Sequence, residues 1–123
     1  MLGQILIVED DGVLASMVTA ALREQGMTVE HAATCEEARA LALQQPPDLL
    51  VLDIGLPDGD GWTLLRELRA GPLGPHVPVV VVSSSLVTRR RIRCLGIQRF
   101  IPKPFSVPYF TTTIKTLFDQ GQR

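Results

Sequence analysis

Residues 51–61 read VLDIGLPDGDG. The apolar run that opens this stretch stops on a charge, Asp53, and the chain then turns through Gly55, Pro57, Gly59 and Gly61. Residues 48–53, DLLVLD, have no polar position between Leu49 and Leu52, the pattern of a strand covered on both faces. A carboxylate at the end of a buried strand is costly unless something pairs with it.

The same unit recurs on either side. Residues 4–8, QILIV, predict a first strand, and Leu14, Met17, Val18, Ala21 and Leu22 recur at helical spacing from Gly12 to Gln25, with Gly26 where the helix should stop. MTVEHA predicts a second strand. Thr34 and Glu37 have the spacing of a capping box, opening a helix that Pro46 and Pro47 end. After the glycine-rich turn a helix is expected from Trp62 to Ala70, then a fourth strand in VPVVVVSSS. A short arginine-rich helix over 88–95, a brief strand in RFIPK and a last helix over 107–118 complete the pattern.

Strands that alternate with helices form a parallel sheet with helices on both sides, because parallel neighbours need right-handed crossovers. Every strand then ends at one edge of the sheet, and the residues just after the strands meet there. Those residues are Glu9 and Asp10 after strand one, Asp53, Ser83 and Lys103. In the order 2-1-3-4-5, strands one and three lie side by side, and their carboxylates share one crevice.

Crowded carboxylates raise one another's pKa values unless a cation compensates. Magnesium suits an open acidic crevice with no histidine or cysteine at hand, since it takes one or two carboxylates together with waters and phosphate oxygens. The adjacent Glu9 and Asp10 are fitted to hold such an ion. That leaves Asp53 as a candidate nucleophile toward phosphorus, with the Ser83 hydroxyl, the Lys103 ammonium and N–H groups around Gly55 as donors to the phosphoryl oxygens.

Glu9-Asp10 after ILIV, Asp53 followed by Pro57 and Gly61, Ser83 after PVVVV, and Lys103-Pro104-Phe105 stand in one order along the chain. Together they resemble the receiver domain of bacterial response regulators, over essentially the whole sequence. The resemblance implies a flavodoxin-like (βα)5 sandwich with a five-stranded parallel sheet in the order 2-1-3-4-5. It implies Mg2+, and phosphorylation of Asp53 by a histidine kinase or phosphotransfer protein. Glu9 and Asp10 become the acidic pair, with Asp10 a direct metal ligand beside Asp53, and Gly55 a ligand through its carbonyl. Ser83 resembles the switch hydroxyl, Phe100 the switch aromatic, and Lys103 the cation on the phosphoryl group, in a Lys103-Pro104 bond of the kind usually found cis. The face from helix four to helix five would report phosphorylation to a partner, an output domain or a second copy in a phosphorylation-dependent dimer.

Some positions depart from that pattern. The step from Ser83 to Lys103 is about two residues short, so helix four is expected to be short or reoriented. Gly96-Ile97-Gln98 precedes the aromatic differently from the family's usual turn, so the entry to strand five should also differ. Gly55 and Ser84 alter the bulk around Asp53 and would admit water, which predicts a short-lived phosphoaspartate. Arg89, Arg90, Arg91 and Arg93 form a solvated helix face, a patch for an acidic partner or a direct contact to nucleic acid.

Composition narrows the alternatives. A chain of 123 residues with 46% hydrophobic and 20% charged residues is expected to form one domain, 1–123. A net charge of -1 argues against a dedicated nucleic-acid binder. The absence of a basic segment before the first apolar run predicts no signal peptide, and hence a cytoplasmic location without a membrane span. The twenty residues after Lys103 are too few for a DNA-binding domain, leaving a stand-alone receiver or a piece of a longer regulator. Cys35 and Cys94 lack metal-site spacing and are expected to pack. Asp58 and Asp60 precede glycines and are expected to form turns, while Asp11 is a possible cap for helix one. Two further functions stay open: a receiver-like scaffold that is never phosphorylated, and an aspartate-nucleophile phosphatase. The second typically needs another aspartate where Gly55 stands; otherwise the chain catalyses only its own phosphorylation and dephosphorylation.

Overall fold

A computed structural model describes residues 3–121 of the chain. Five strands, β1 (Gln4–Val8), β2 (Thr28–Ala32), β3 (Leu49–Asp53), β4 (Val79–Ser83) and β5 (Ile97–Pro102), form one parallel sheet in the order β2-β1-β3-β4-β5. Helices α1 (Gly12–Glu24), α2 (Cys35–Gln44), α3 (Gly61–Ala70), α4 (Arg89–Cys94) and α5 (Val107–Gly121) make the connections and close the chain. This is the flavodoxin-like arrangement expected. A two-residue antiparallel ladder, Gly55–Leu56 with Gly59–Asp60, tightens the loop after β3.

Strand periodicity builds two cores. Leu6, Val8, Leu50, Leu52, Val79 and Val81 pack with α2 and α3 on one face, and Ile5, Ile7, Leu49, Val51, Val80 and Val82 pack with α1 and α5 on the other. Because β1, β3 and β4 are buried on both faces, their sequences show no polar alternation. Among the described residues, no helix is long and apolar enough to cross a membrane.

The caps explain where the helices start. Asp11 accepts from the N–H groups of Val13 and Leu14, so it does cap α1, and Asp60 accepts from Trp62 N at the start of α3. Thr34 Oγ1 accepts from Glu37 N, and the Glu37 carboxylate returns to Ala33 N, one residue before the cap. Asp58 does more than turn the chain. Its carboxylate accepts from Cys35 N (2.7 Å) and Glu36 N (3.1 Å), fastening the loop after β3 to the first turn of α2. The backbone N–H of Cys35, foremost, holds the Asp58 carboxyl below its ordinary value.

Three expectations need correction. Met17 shares the helical spacing of the α1 core but is 52% exposed, because the buried stripe runs through Ala15, Val18, Thr19 and Leu22 instead. Cys94 does not pack: it ends α4 in an exposed position, whereas Cys35 is buried. The last strand begins at Ile97, two residues before RFIPK, and has a register shift where Val79 faces Ile97 but Val80 faces Arg99. Gln98 fills the irregularity, its side-chain carbonyl accepting from Val79 N at 2.8 Å. The strand is thus entered through a bulge.

Helix α4 is six residues long and buries none of its side chains fully. Thr88 caps it through Arg91 N, and the Arg91 guanidinium lies 4.6 Å over the Trp62 ring of α3. The Lys103-Pro104 bond is cis.

Gly61 sets how closely α3 approaches β3. A Cβ there would lie 2.7 Å from Ile54 Cα, 2.8 Å from Ile54 O and 3.0 Å from Asp53 O, all backbone atoms with no room to yield. Gly61→Ala is expected to cost roughly 1–3 kcal/mol through this overpacking. Urea unfolding measures it, and a midpoint equal to that of the unsubstituted chain would contradict the close approach.

Candidate functional site

The strand register brings the polar strand ends to one edge. Val8 lies opposite Leu52, Asp53 opposite Val82, and Ser83 opposite Pro102, so Glu9, Asp53, Ser83 and Lys103 emerge as neighbours. Glu9, Asp53 and Ser83 are buried; Asp10 is exposed and Lys103 half-buried.

One cation holds two of the acids. Lys103 Nζ lies 2.7 Å from Glu9 Oε1 and 3.1 Å from Asp53 Oδ2. The second Asp53 oxygen accepts from Gly55 N at 3.1 Å, and the second Glu9 oxygen from Asp11 N at 3.1 Å. Carboxylate oxygens from Glu9, Asp10 and Asp53 lie within 4.8 Å of one another. Hard oxygen donors at this spacing, without histidine or cysteine, match the preference of magnesium rather than zinc.

The expected residues differ in how they meet the crevice. Gly55 reaches Asp53 through its N–H and is otherwise exposed in the short ladder. Ser83 is joined to the lysine segment by its main chain, since Lys103 N donates to Ser83 O at 2.9 Å. Its hydroxyl oxygen accepts from Ser85 N at 3.0 Å, which holds the loop after β4. Phe100 lies on β5 opposite Val81 and packs, half-buried, on the core that faces α2 and α3.

Residue types alone did not reveal two supports. Asp58 anchors the Asp53 loop, and His31 Nε2 lies 2.7 Å from the carbonyl oxygen of Glu9. Pairing of His31 with Ile7 on the neighbouring strand places the ring there, a consequence of strand order that a single strand's sequence does not carry.

The charges pull in opposite directions. Burial pushes the Glu9 carboxyl above its ordinary value of 4.5, the Lys103 and Asp11 hydrogen bonds pull it back, and nearby Asp53 pushes it up again. Burial alone would lower Lys103 from 10.5, but hydrogen bonds and charge from Glu9 and Asp53 outweigh it and leave the ammonium raised. A raised Glu9 means that the fold favours its protonated form, so its stabilising contribution is complete below pH 4.5 and is lost as pH rises through the folded value. Lys103 keeps its own contribution throughout that range, losing it only as pH rises through a folded value above 10.5. Without added metal, the stability of the natural chain relative to Glu9→Gln is therefore expected to fall as pH rises from 4.5 to neutrality. Urea midpoints in EDTA at several pH values check this, and a constant difference would refute it.

A family model described as "Response regulator receiver domain" matches residues 5–115. The probable transcriptional regulatory protein TcrX of Mycobacterium tuberculosis is 36% identical over 115 residues, covering 92% of this chain and 48% of that protein. The KDP operon transcriptional regulatory protein KdpE of Escherichia coli is 37% identical over 105 residues, 84% of this chain and 45% of its own. The chain thus spans about half the length of these two regulators. The crystal structure of a CheY-like receiver domain protein from Methanospirillum hungatei superposes with a TM-score of 0.89 at 28% identity, covering 99% of this chain and 98% of that one. The chain belongs to the receiver domain family of response regulators, the phosphoacceptor signalling modules of two-component systems.

Proposed function

We propose that Asp53 is the phosphoryl acceptor of this receiver domain. The observation that carries this reading is the Asp53 carboxylate held between the Lys103 ammonium and the Gly55 N–H, beside Glu9 and Asp10. A carboxylate oxygen of Asp53 attacks phosphorus of a phosphohistidine on a histidine kinase or phosphotransfer protein. The P–O bond forms as the P–N bond breaks, and the imidazole leaves with the electron pair. Lys103 and the Ser83 hydroxyl then contact the phosphoryl oxygens, for which Ser83 gives up its bond with Ser85 N.

Glu9, Asp10, Asp53 and the Gly55 carbonyl would hold Mg2+, which when bound supplies neutralising charge to the phosphoryl oxygens. The chain catalyses no other turnover than its own phosphorylation and dephosphorylation. Because a phosphohistidine donor is charged from ATP, the exchange belongs in the cytoplasm. Ser83 and Phe100 transmit the change to the α4–β5–α5 face, which is read by a partner, an output domain or a second copy of the chain, without direct contact to nucleic acid. Residues 1–123 act as one domain.

Incubation with acetyl phosphate and Mg2+ is expected to add one phosphoryl mass to the natural chain, and none to Asp53→Asn or in EDTA. Sedimentation of the same sample reports dimerisation. A folded protein that gains no mass would overturn the assignment and favour a scaffold that is never phosphorylated.

The phosphoaspartate is expected to be short-lived. A Cβ on Gly55 would meet nothing within 4 Å, and Ser84 is exposed, so neither residue puts bulk over Asp53 to keep water out. The decay of the phosphorylated mass in Mg2+ buffer should take minutes. Persistence for many hours would overturn this expectation, and Gly55→Met should lengthen the lifetime.

A further inference from the structure

The chain's cations are segregated. Residues 62–96 contain six of its twelve Lys and Arg residues, all arginine, and one of its thirteen acids, Glu67. Glu67 is already paired with Arg39 of α2 at 2.6 Å. Among the described residues, Arg66, Arg89, Arg90 and Arg93 have no carboxylate within ion-pair distance. A chain of net charge -1 therefore concentrates unpaired positive charge on α3 and α4.

That charge borders an open cleft of about 470 Å3 between the C-terminal ends of the two helices, lined by Arg66, Arg69, Pro75, Arg93, Cys94 and Leu95. Arg69 forms its wall. Its guanidinium donates to Val77 O (2.6 Å), Gly96 O (2.9 Å) and Gly74 O (3.3 Å), which joins the loop after α3 to the turn after α4. Arg66 and Arg93 carry exposed forks above a partly apolar lining. Helices that return between parallel strands end where the strands begin, so the cleft lies at the edge opposite Asp53.

We propose that this α3–α4 cleft binds an acidic, partly apolar peptide segment of a partner protein. Guanidinium forks suit bidentate carboxylates, and Leu95 and Pro75 give apolar side chains a place between them. The cleft has no aromatic lining on which bases would stack, since Trp62 is buried beneath Arg91. A long polyanion reaching across the molecule would also meet Glu9, Asp10 and Asp53 at the other edge. A short acidic segment in the cleft meets arginines and apolar side chains and, among the described residues, no carboxylate. The site is separate from Asp53, and Asp53→Asn is expected to bind equally well.

The test is fluorescence anisotropy of the intact chain with a labelled peptide of alternating Glu and Leu, and with a single-stranded oligonucleotide of equal charge. Saturable peptide binding that weakens with salt, exceeds binding of the oligonucleotide and drops ~tenfold or more in Arg66→Glu with Arg93→Glu is the expected result. A second readout needs no variant: bound peptide should slow iodoacetamide alkylation of Cys94, the exposed thiol, while Cys35 stays buried. No saturable binding, undiminished binding by a folded double variant, or unprotected Cys94 would overturn the proposal. Tighter binding of the oligonucleotide would replace the peptide with nucleic acid.

Discussion

The contact of Lys103 with both Glu9 and Asp53 is the constraint on which the crevice depends. Three strands, β1, β3 and β5, deliver like charges and their counter-charge to one edge, and the ammonium is what makes the delivery tolerable. Breaking a buried ion pair by removing one member costs about 3–5 kcal/mol, because the remaining charge is stranded. The exposed Arg39–Glu67 pair on α2 and α3 is only 2.6 Å long, yet a solvated pair of this kind is worth roughly 0–1 kcal/mol. Distance alone would rank the two alike; burial separates them.

The ammonium does not fully offset the burial of Glu9, and this residual imbalance links stability to function. Glu9 remains raised although it bonds Lys103, because desolvation and Asp53 act against it. A crevice left in this condition favours a further cation, and on the proposed phosphorylation of Asp53, Lys103 would meet a stronger anion than the carboxylate it now holds. The main chain would carry such a movement outward. Lys103 N is bonded to Ser83 O, and β5, which Lys103 follows, holds Phe100 on the core two registers from Pro102.

Much of this was legible in the sequence because buried parallel strands leave an unambiguous trace. Leu49–Leu52 and Val79–Val82 have no polar alternation, and a charge or hydroxyl ends each run, so strand, edge and candidate site are marked by the same residues. The legibility fails where position depends on another element. Met17 has helical spacing like its neighbours, and only the placement of α1 on the sheet decides that it faces outward. Asp58 has the local signature of a turn, while its bonds to Cys35 and Glu36 belong to a helix more than twenty residues away. His31 depends in the same way on strand order. Cys94 is exposed because a six-residue helix has too little length to bury a stripe.

The short α4 is where fold and recognition meet. A helix that buries no side chain fully draws little stability from the core, and its position rests on Arg91 over Trp62, on partly buried Ile92 and Leu95, and on Arg69 bonded to Gly96 O. Two of the four anchors are arginines. Burial already lowers the Arg69 pKa, the mark of a guanidinium drawn inward to satisfy carbonyls rather than left to solvent. The arginines of this region thus divide by partner, with Arg69 engaged by carbonyl oxygens and Arg91 by the Trp62 ring, while Arg66 and Arg93 border the open cleft without a carboxylate partner among the described residues. Because both sets converge on one short helix, an anion bound to the outward set and a change in β5 packing would act on the same weakly held element.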